Sequence, residues 1–388
     1  MTRRSARAVE YYVPERERLV RRSADVFVVG GGPAGLAAAI AAARKGFSVV
    51  VADGSEPPID KPCGEGMMPE TQAALKQLGV ELPAGIGWNF RGIRFVQDHR
   101  EISAAFPSGT GIGIRRPVLH SLLIQAAERC GVKLLWKTPA AGIETRGVRL
   151  HDGVVSARWI IGADGAASRV RAWAELDEAV HRTQRMASRR HYRVPPWSDY
   201  LAIYWSRRAQ AYVTPISAAE VCIVTIGDAR EDVKFDRVLA ELPALQEKLA
   251  GAELASRERG AVTVMHRLRR VARRNVALVG DASGGVDAIT GEGLRLAFRQ
   301  SAALAEAIHA GDLREYQLAH RELQRRPLRM GKLMVELGRR QGIRERVMRA
   351  MSDRRDLFEP MLAIHLGRSS LREIMAASVR LGWHFLAA

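Results

Sequence analysis

The chain is 388 residues long, carries 60 lysines and arginines against 42 aspartates and glutamates for a formal net charge of +18, and has three cysteines. That length supports a large core in two domains or one elaborated domain. Cys63, Cys130 and Cys222 form no C-x-x-C pair, which excludes a disulfide scaffold and a cysteine-built zinc site and predicts a metal-free protein of a reducing, cytoplasmic compartment. The positive charge is spread along the chain with no nucleic-acid-binding motif, so nucleic acid is not an expected partner.

Residues 1–23 are basic and lack the apolar centre of a signal peptide, which predicts an extension ahead of the fold. Asp25 to Val29 then reads as an apolar strand running into Gly30, Gly32 and Gly35, a G-x-G-x-x-G at a strand end. The first glycine permits the tight turn, the second lets backbone approach a pyrophosphate, and the third lets the next helix pack against the sheet. Pro33 and Ala34 open that helix, whose first amides point at a phosphate. Gly46 ends it, and a second strand, Ser48 to Ala52, stops at Asp53, where a carboxylate accepts from ribose hydroxyls and favours FAD or NAD over NADP.

Further on, "DKPCGEGMMPE" follows the second strand and "GIRRPVLHSLL" opens a helix at Arg116. Alternating, β-branched and aromatic stretches in 88–110 and 180–268 predict a mainly β substrate domain. Tyr192, Tyr200, Tyr204, Trp205 and Tyr212 could line an apolar cleft there or fill a core, and His191 and His266 are either proton-handling or structural. "RWIIGADGAASRVR" takes a strand into Asp164 and Gly165; "NVALVGDASGGVDAITGEGLRLAF" takes another into Gly280 and Asp281, then opens a helix at Gly291, Gly293 and Leu294. Beyond 311 the pattern is helical and rich in arginine, with Leu333, Val335, Leu337, Ile343, Val347 and Met351 at near-helical spacing. That face either packs on the core or meets an anionic membrane surface as a peripheral contact. No apolar run reaches the length of a membrane span.

Together the three motifs resemble the FAD-dependent aromatic hydroxylase and geranylgeranyl reductase superfamily, over about residues 25–310. The resemblance implies an α/β protein whose Rossmann-like FAD-binding domain is assembled from 24–87, 111–179 and 269–311. A β-rich substrate domain from 88–110 and 180–268 is inserted, and a helical region, 312–388, follows. It further implies noncovalent FAD, with NAD(P)H as reductant. Gly30, Gly32, Pro33, Ala34, Gly35 and Asp53 would hold the ADP half, Arg116 would lie against the cofactor, and Asp164 and Gly165 would lie near the pyrophosphate. Gly280 and Asp281 would hold the ribityl chain, and Gly291, Gly293 and Leu294 would face the flavin pyrimidine. Relatives often have proline where this chain has Ala288, which predicts a looser turn. Lys61, Pro62, Cys63, Gly64 and Gly66 match a K-P-C-G-G-G-like stretch of the reductases, which makes Cys63 a candidate catalytic thiol, while Glu65 and Met67 depart from it. The form C-G-E-G-M-M-P looks most like flavoproteins associated with type III polyketide synthases. The expected activity is therefore an NAD(P)H-driven monooxygenation of a phenolic polyketide or lipid-tailed aromatic through a flavin hydroperoxide. The alternatives are reduction of prenyl double bonds and a flavin-bound protein without catalysis.

Overall fold

The computed structural model describes residues 23–353 and 358–367, the side chains of 179–182, 265, 266 and 353 excepted. The expected N-terminal extension therefore falls almost wholly outside the described residues, as does the final segment of the helical region.

The first sheet grows from the most apolar segments. Strand Ser23–Val29 pairs in parallel with Val49–Ala52 on one side, Val26 opposite Val49, and with Gly153–Gly162 on the other, Val26 opposite Trp159. Lys133–Leu135 and Val276–Leu278 extend the parallel run outward. A continuous apolar strand of this kind suits a sheet covered on both faces. Helix Pro33–Ala43 covers one face, with Pro33 at its first turn and nearly every residue buried. Its small alanines allow the helix Gly293–Ala310 to lie close beside it, and both enter the core that includes Leu36, Ile40, Phe298 and Leu304.

The second sheet runs in the order Glu253–Leu254, Ala179–Arg193, Glu220–Asp228, Ala209–Ser217, Leu201–Trp205, Gly92–Gln97, Arg100–Ala105, with Arg259–Leu268 also on the Ala179–Arg193 strand. Alternation along each strand sorts its side chains to two faces. Val221, Ile223, Tyr192, Tyr204 and Val213 point to the outer face, where Phe235, Val238 and Leu245 of two short helices bury them. Cys222, Val224, Ile226 and Ala187 form an apolar cluster on the inner face. The aromatic residues thus divide: Tyr192 and Tyr204 belong to the outer core, Trp205 to a third core with Phe95 beside it, and Tyr200 lies under the guanidinium of Arg91.

The C-terminal helices complete both halves. Helix Leu313–Arg339 first packs on the dinucleotide-binding half through Tyr316 and His320, then runs on to the inner edge of the second sheet. Helices Gln341–Asp353 and Phe358–Leu366 insert Met348, Met351, Phe358 and Leu362 among Phe90, Ile93, Ile102 and Trp205. Leu337 and Val347 pack on this core while Leu333 stays exposed, so part of the apolar face read from the sequence is core. Arg344 is buried with it, donating to Gln97 Oε1 at 3.2 Å and Gly338 O at 3.0 Å. No described helix is long and apolar enough to cross a membrane.

Candidate active site

The glycine turn is built for close approach. Gly30 has φ +109°, and a Cβ there would lie 2.5 Å from Ala163 O; a Cβ on Gly35 would lie 1.8 Å from Gly30 O. At Gly32, the cap of the helix, the same position faces open space, so a ligand can reach the amides that follow. Asp53 accepts from Gly31 N and Ser55 N, both at 2.7 Å, which fixes its carboxylate at the strand end. His120, fully buried, holds the turn from behind: its Nε2 donates to Gly31 O at 2.7 Å and its Nδ1 accepts from Ile59 N at 3.2 Å. Burial keeps its pKa below the ordinary value, so the ring is neutral and this tautomer uses both nitrogens. Nothing local in the sequence marks that role.

The second motif divides its labour. Asp164 accepts from Ser168 Oγ (2.5 Å), Arg169 N (2.7 Å) and Val170 N (3.1 Å), so its carboxylate caps the short helix Arg169–Trp173. Gly165 takes φ +86°, and a Cβ there would come 3.8 Å from Lys61 Nζ.

The third motif is held from the C-terminal helix. Gly280, at φ +59°, meets Ala34 so closely that a Cβ would lie 2.6 Å from the alanine Cβ, and its N–H donates to Gln300 Oε1. Asp281 is exposed; its backbone carbonyl accepts from Gly284 N, and its carboxylate accepts no hydrogen bond from the described residues. Behind it, Tyr316 donates to Leu278 O, His320 to Ser283 Oγ and Gln324 Nε2 to Gly284 O. Ala288 does not loosen the next turn: Asp287 accepts from Ile289 N at 3.0 Å, Thr290 N and Gly291 N close on Asp287 O and Ala288 O, and His365 donates to Thr290 O. Gly291 takes φ +66°, and the helix that follows makes its first internal bond from Leu296 N to Glu292 O. The amides of Gly293, Leu294 and Arg295 are thereby left for a ligand.

Two loops clasp the inner face of the second sheet. At one, Tyr212 Oη donates to Ile289 O and Arg185 pairs with Asp287 at 3.5 Å. At the other, Thr214 Oγ1 donates to Gly64 O, and Cys222 Sγ lies 3.8 Å from Cys63 O. Cys63 is half-buried, and its Sγ accepts from Glu65 N at 3.4 Å. Glu65 stands at φ +58°, a conformation that costs a non-glycine residue about 1 kcal/mol or more. Its buried carboxylate accepts from Arg116 N at 2.9 Å, Arg189 Nη1 at 3.0 Å and His191 Nε2 at 2.7 Å. His191 continues through Nδ1 to Ser256 Oγ at 2.7 Å, and Arg189 is also forked onto Asp60. Burial works to raise the Asp60 pKa, but the hydrogen bonds and charge of Arg189 bring it below the ordinary carboxylate value. Burial, reinforced by Glu65, pushes the Cys222 thiol up, so it stays protonated.

Thus His191 has a carboxylate partner 126 positions away that spacing could not reveal. The one available signal is Glu65 itself, standing where the related stretch has glycine. Ligand-type atoms of Glu65, His191 and Cys222 lie within 4.8 Å of one another. The Glu65 carboxylate is engaged by the Arg189 guanidinium on one oxygen and by His191 on the other, so the group reads as a hydrogen-bond network. The His266 side chain lies outside the described residues.

These features fit FAD. The turn at Gly30–Gly35 admits a pyrophosphate, Asp281 offers an unengaged carboxylate, and the amides at Gly293–Arg295 suit the negative end of a reduced ring. Arg116 supplies a further sign: its Nε is buried without a protein partner. Residues 23–314 match the family model described as FAD binding domain. A menaquinone reductase of Mycobacterium tuberculosis is 30% identical over 319 residues, covering 75% of this chain and 78% of the relative. Among solved structures, a flavoprotein/dehydrogenase of Cytophaga hutchinsonii superposes with TM-score 0.77 at 18% identity, over 89% of this chain and 93% of that one. A geranylgeranyl bacteriochlorophyll reductase-like protein of Thermoplasma acidophilum does so with TM-score 0.69 at 20% identity, over 92% and 96%. Those two share the fold. With three quarters of its length matched, the chain belongs to the FAD binding domain family, as an FAD-dependent oxidoreductase of the aromatic hydroxylase and geranylgeranyl reductase superfamily.

Proposed function

We propose that the protein is an NAD(P)H-dependent flavoprotein reductase that saturates a carbon–carbon double bond in an apolar, isoprenoid-tailed substrate. The observation that carries this reading is the pair of thiols, Cys63 and Cys222, beside the hydrogen-bonded His191–Glu65 pair, gathered where the Lys61–Gly66 loop meets the inner face of the second sheet. Support also comes from the relatives matched over both halves of the chain, among them the mycobacterial menaquinone reductase and a chloroplastic geranylgeranyl diphosphate reductase of Arabidopsis thaliana at 28% identity.

FAD, when bound and reduced, supplies the hydride. The chain's own part is to stabilise charge at the pyrimidine end through the Gly293–Arg295 amides, keep water away with the apolar inner face, and deliver one proton. Cys63 is the donor in this reading, and Glu65 N–H is placed to stabilise the thiolate left behind. Turnover in deuterium oxide should then place solvent deuterium at the carbon that receives the proton, with a second at the other carbon to the extent that the N–H of reduced flavin exchanges before hydride transfer. Cys63→Ala should slow turnover by more than about tenfold, the scale of losing a general acid. Solvent-derived deuterium at neither carbon, or an unimpaired variant, would remove the reading.

Hydroxylation of a phenolic polyketide or lipid-tailed aromatic is the second reading, favoured by the likeness of the stretch C-G-E-G-M-M-P, Cys63 to Pro69, to flavoproteins associated with type III polyketide synthases. Under it, Cys63→Ala costs little beyond packing. A lipid-tailed substrate also fits peripheral contact between the arginine-rich face of Leu313–Asp353, with exposed Leu333, and an anionic bilayer. Co-sedimentation with anionic vesicles and not with neutral ones is the expected result.

A further inference from the structure

Where helix Leu313–Arg339 passes the open end of the second sheet, it encloses a cavity of about 1110 Å³ that reaches Gly285 and Asp287 beside the flavin-facing turn. Seven basic side chains line it against four acidic ones. Arg185 pairs with Asp287, Arg208 with Glu231, and Arg230 and Arg339 share Asp228. Three cations from three separate elements remain without an acidic partner among the described residues: Arg207 from a hairpin turn, Arg267 from a strand end and Lys332 from the helix.

A second, independent feature lies in the same wall. Thr183 Oγ1 and Arg185 Nε are buried side-chain atoms with no hydrogen-bond partner. They stand two residues apart on one strand, hence on one face, and both residues line the cavity. Burying a donor without an acceptor costs about 1 to 3 kcal/mol. A wall that combines such donors with unpaired cations has the chemistry of a site whose ligand brings acceptor oxygens and negative charge.

We propose that this cavity is a phosphate-binding subsite of the reductase, holding the phosphorylated end of a ligand whose other end reaches the flavin at the Gly285–Asp287 turn. The proposal rests on the reading of the site as a flavin reductase. The surplus of three positive charges matches a terminal phosphate or diphosphate, and arginines from different elements can take such a group by several charge-assisted hydrogen bonds. Two sources carry that chemistry: the reductant, as a nicotinamide dinucleotide bearing an extra phosphate, and the substrate, as a lipid with a phosphorylated head.

Calorimetric titration of the FAD-loaded protein with inorganic pyrophosphate, NADP+, NAD+ and an alkyl phosphate tests it without turnover, since the oxidised nicotinamides cannot reduce the flavin, so its outcome is separate from whether a double bond is reduced. Pyrophosphate should bind, and Arg267→Ala combined with Lys332→Ala should weaken it by about tenfold or more. Thr183→Val, which keeps every charge, should weaken it about threefold. NADP+ binding tighter than NAD+, with the advantage lost in the double variant, assigns the subsite to the reductant. Equal binding of NADP+ and NAD+, with alkyl phosphate lost in the double variant, assigns it to the substrate head. If circular dichroism shows the double variant misfolded, Arg207→Ala and Thr183→Val carry the same comparison. Pyrophosphate affinity within about twofold of wild type in every folded variant overturns the proposal.

Discussion

His320 ties acid stability to the cofactor turn. Its ring is buried and Nε2 donates to Ser283 Oγ, whose own hydroxyl donates to Gly280 O, so protonation adds an N–H on Nδ1 for which no described acceptor is present. Burial, with some help from Arg321, accordingly lowers the pKa from 6.5 to about 4. The sign follows from which state binds the proton. Below 6.5 the unfolded chain takes it up and the folded chain does not, so the stability present above 6.5 drains away as pH falls toward 4. At about 1.4 kcal/mol for each tenfold change, the whole fall is worth about 3 kcal/mol, of which about 2.5 kcal/mol is gone by pH 4.5. His320→Gln keeps an N–H for Ser283 and removes the titration. In urea unfolding the variant should be about 1 kcal/mol less stable than wild type at pH 7.5, and should match or exceed it at pH 4.5. FAD fluorescence recorded in the same titrations should show wild type releasing cofactor at higher pH than the variant. A stability difference that stays constant across that range would refute the reasoning.

Gly35→Ala should abolish FAD retention and lower the melting temperature, since its Cβ would meet Gly30 O at 1.8 Å; a yellow, stable variant would contradict the close packing of the turn. Asp281→Ala should leave the melting temperature of the apoprotein unchanged and weaken FAD by about 1 to 2 kcal/mol, roughly tenfold, as read by fluorescence titration. Glu65→Gly relieves the backbone at φ +58° but strips Arg189 and His191 of a buried partner. The loss, about 3 to 5 kcal/mol, exceeds the relief, so urea unfolding should show net destabilisation of about 2 to 4 kcal/mol, and a neutral outcome would mean the network contributes little.

The parts legible in the sequence are those that local chemistry dictates. A strand, a glycine turn and a helix are contiguous, so Gly30, Gly32, Gly35 and the Gly291–Leu294 helix start announce themselves, and alternation exposes the strands of the second sheet. What stayed hidden is what distant segments bring together. His120 supports Gly31 from 89 positions away, and Tyr316, His320 and Gln324 brace the Gly280–Gly284 turn from a helix whose pattern allowed core packing without showing what it would pack on. Asp164 is legible as a motif, while the hydrogen bonds its carboxylate accepts from Ser168 Oγ and Arg169 N appear only in the folded chain. Glu65 is intermediate, visible as a departure from a glycine-rich stretch, with its partners Arg189 and His191 supplied only by the folded sheet.

The central claim, carbon–carbon double-bond reduction at this flavin site, meets its most direct test in turnover of a prenyl lipid, or of an isoprenoid quinone whose ring is reoxidised before analysis, with NAD(P)H in the strict absence of oxygen, with products read by mass spectrometry. The account predicts a product heavier by two hydrogens, formed at least as fast as in air, with no atom of oxygen-18 gained when the reaction is repeated under labelled oxygen. A product formed only in air from an aromatic substrate, and carrying one atom of that oxygen, would contradict it and establish hydroxylation in its place.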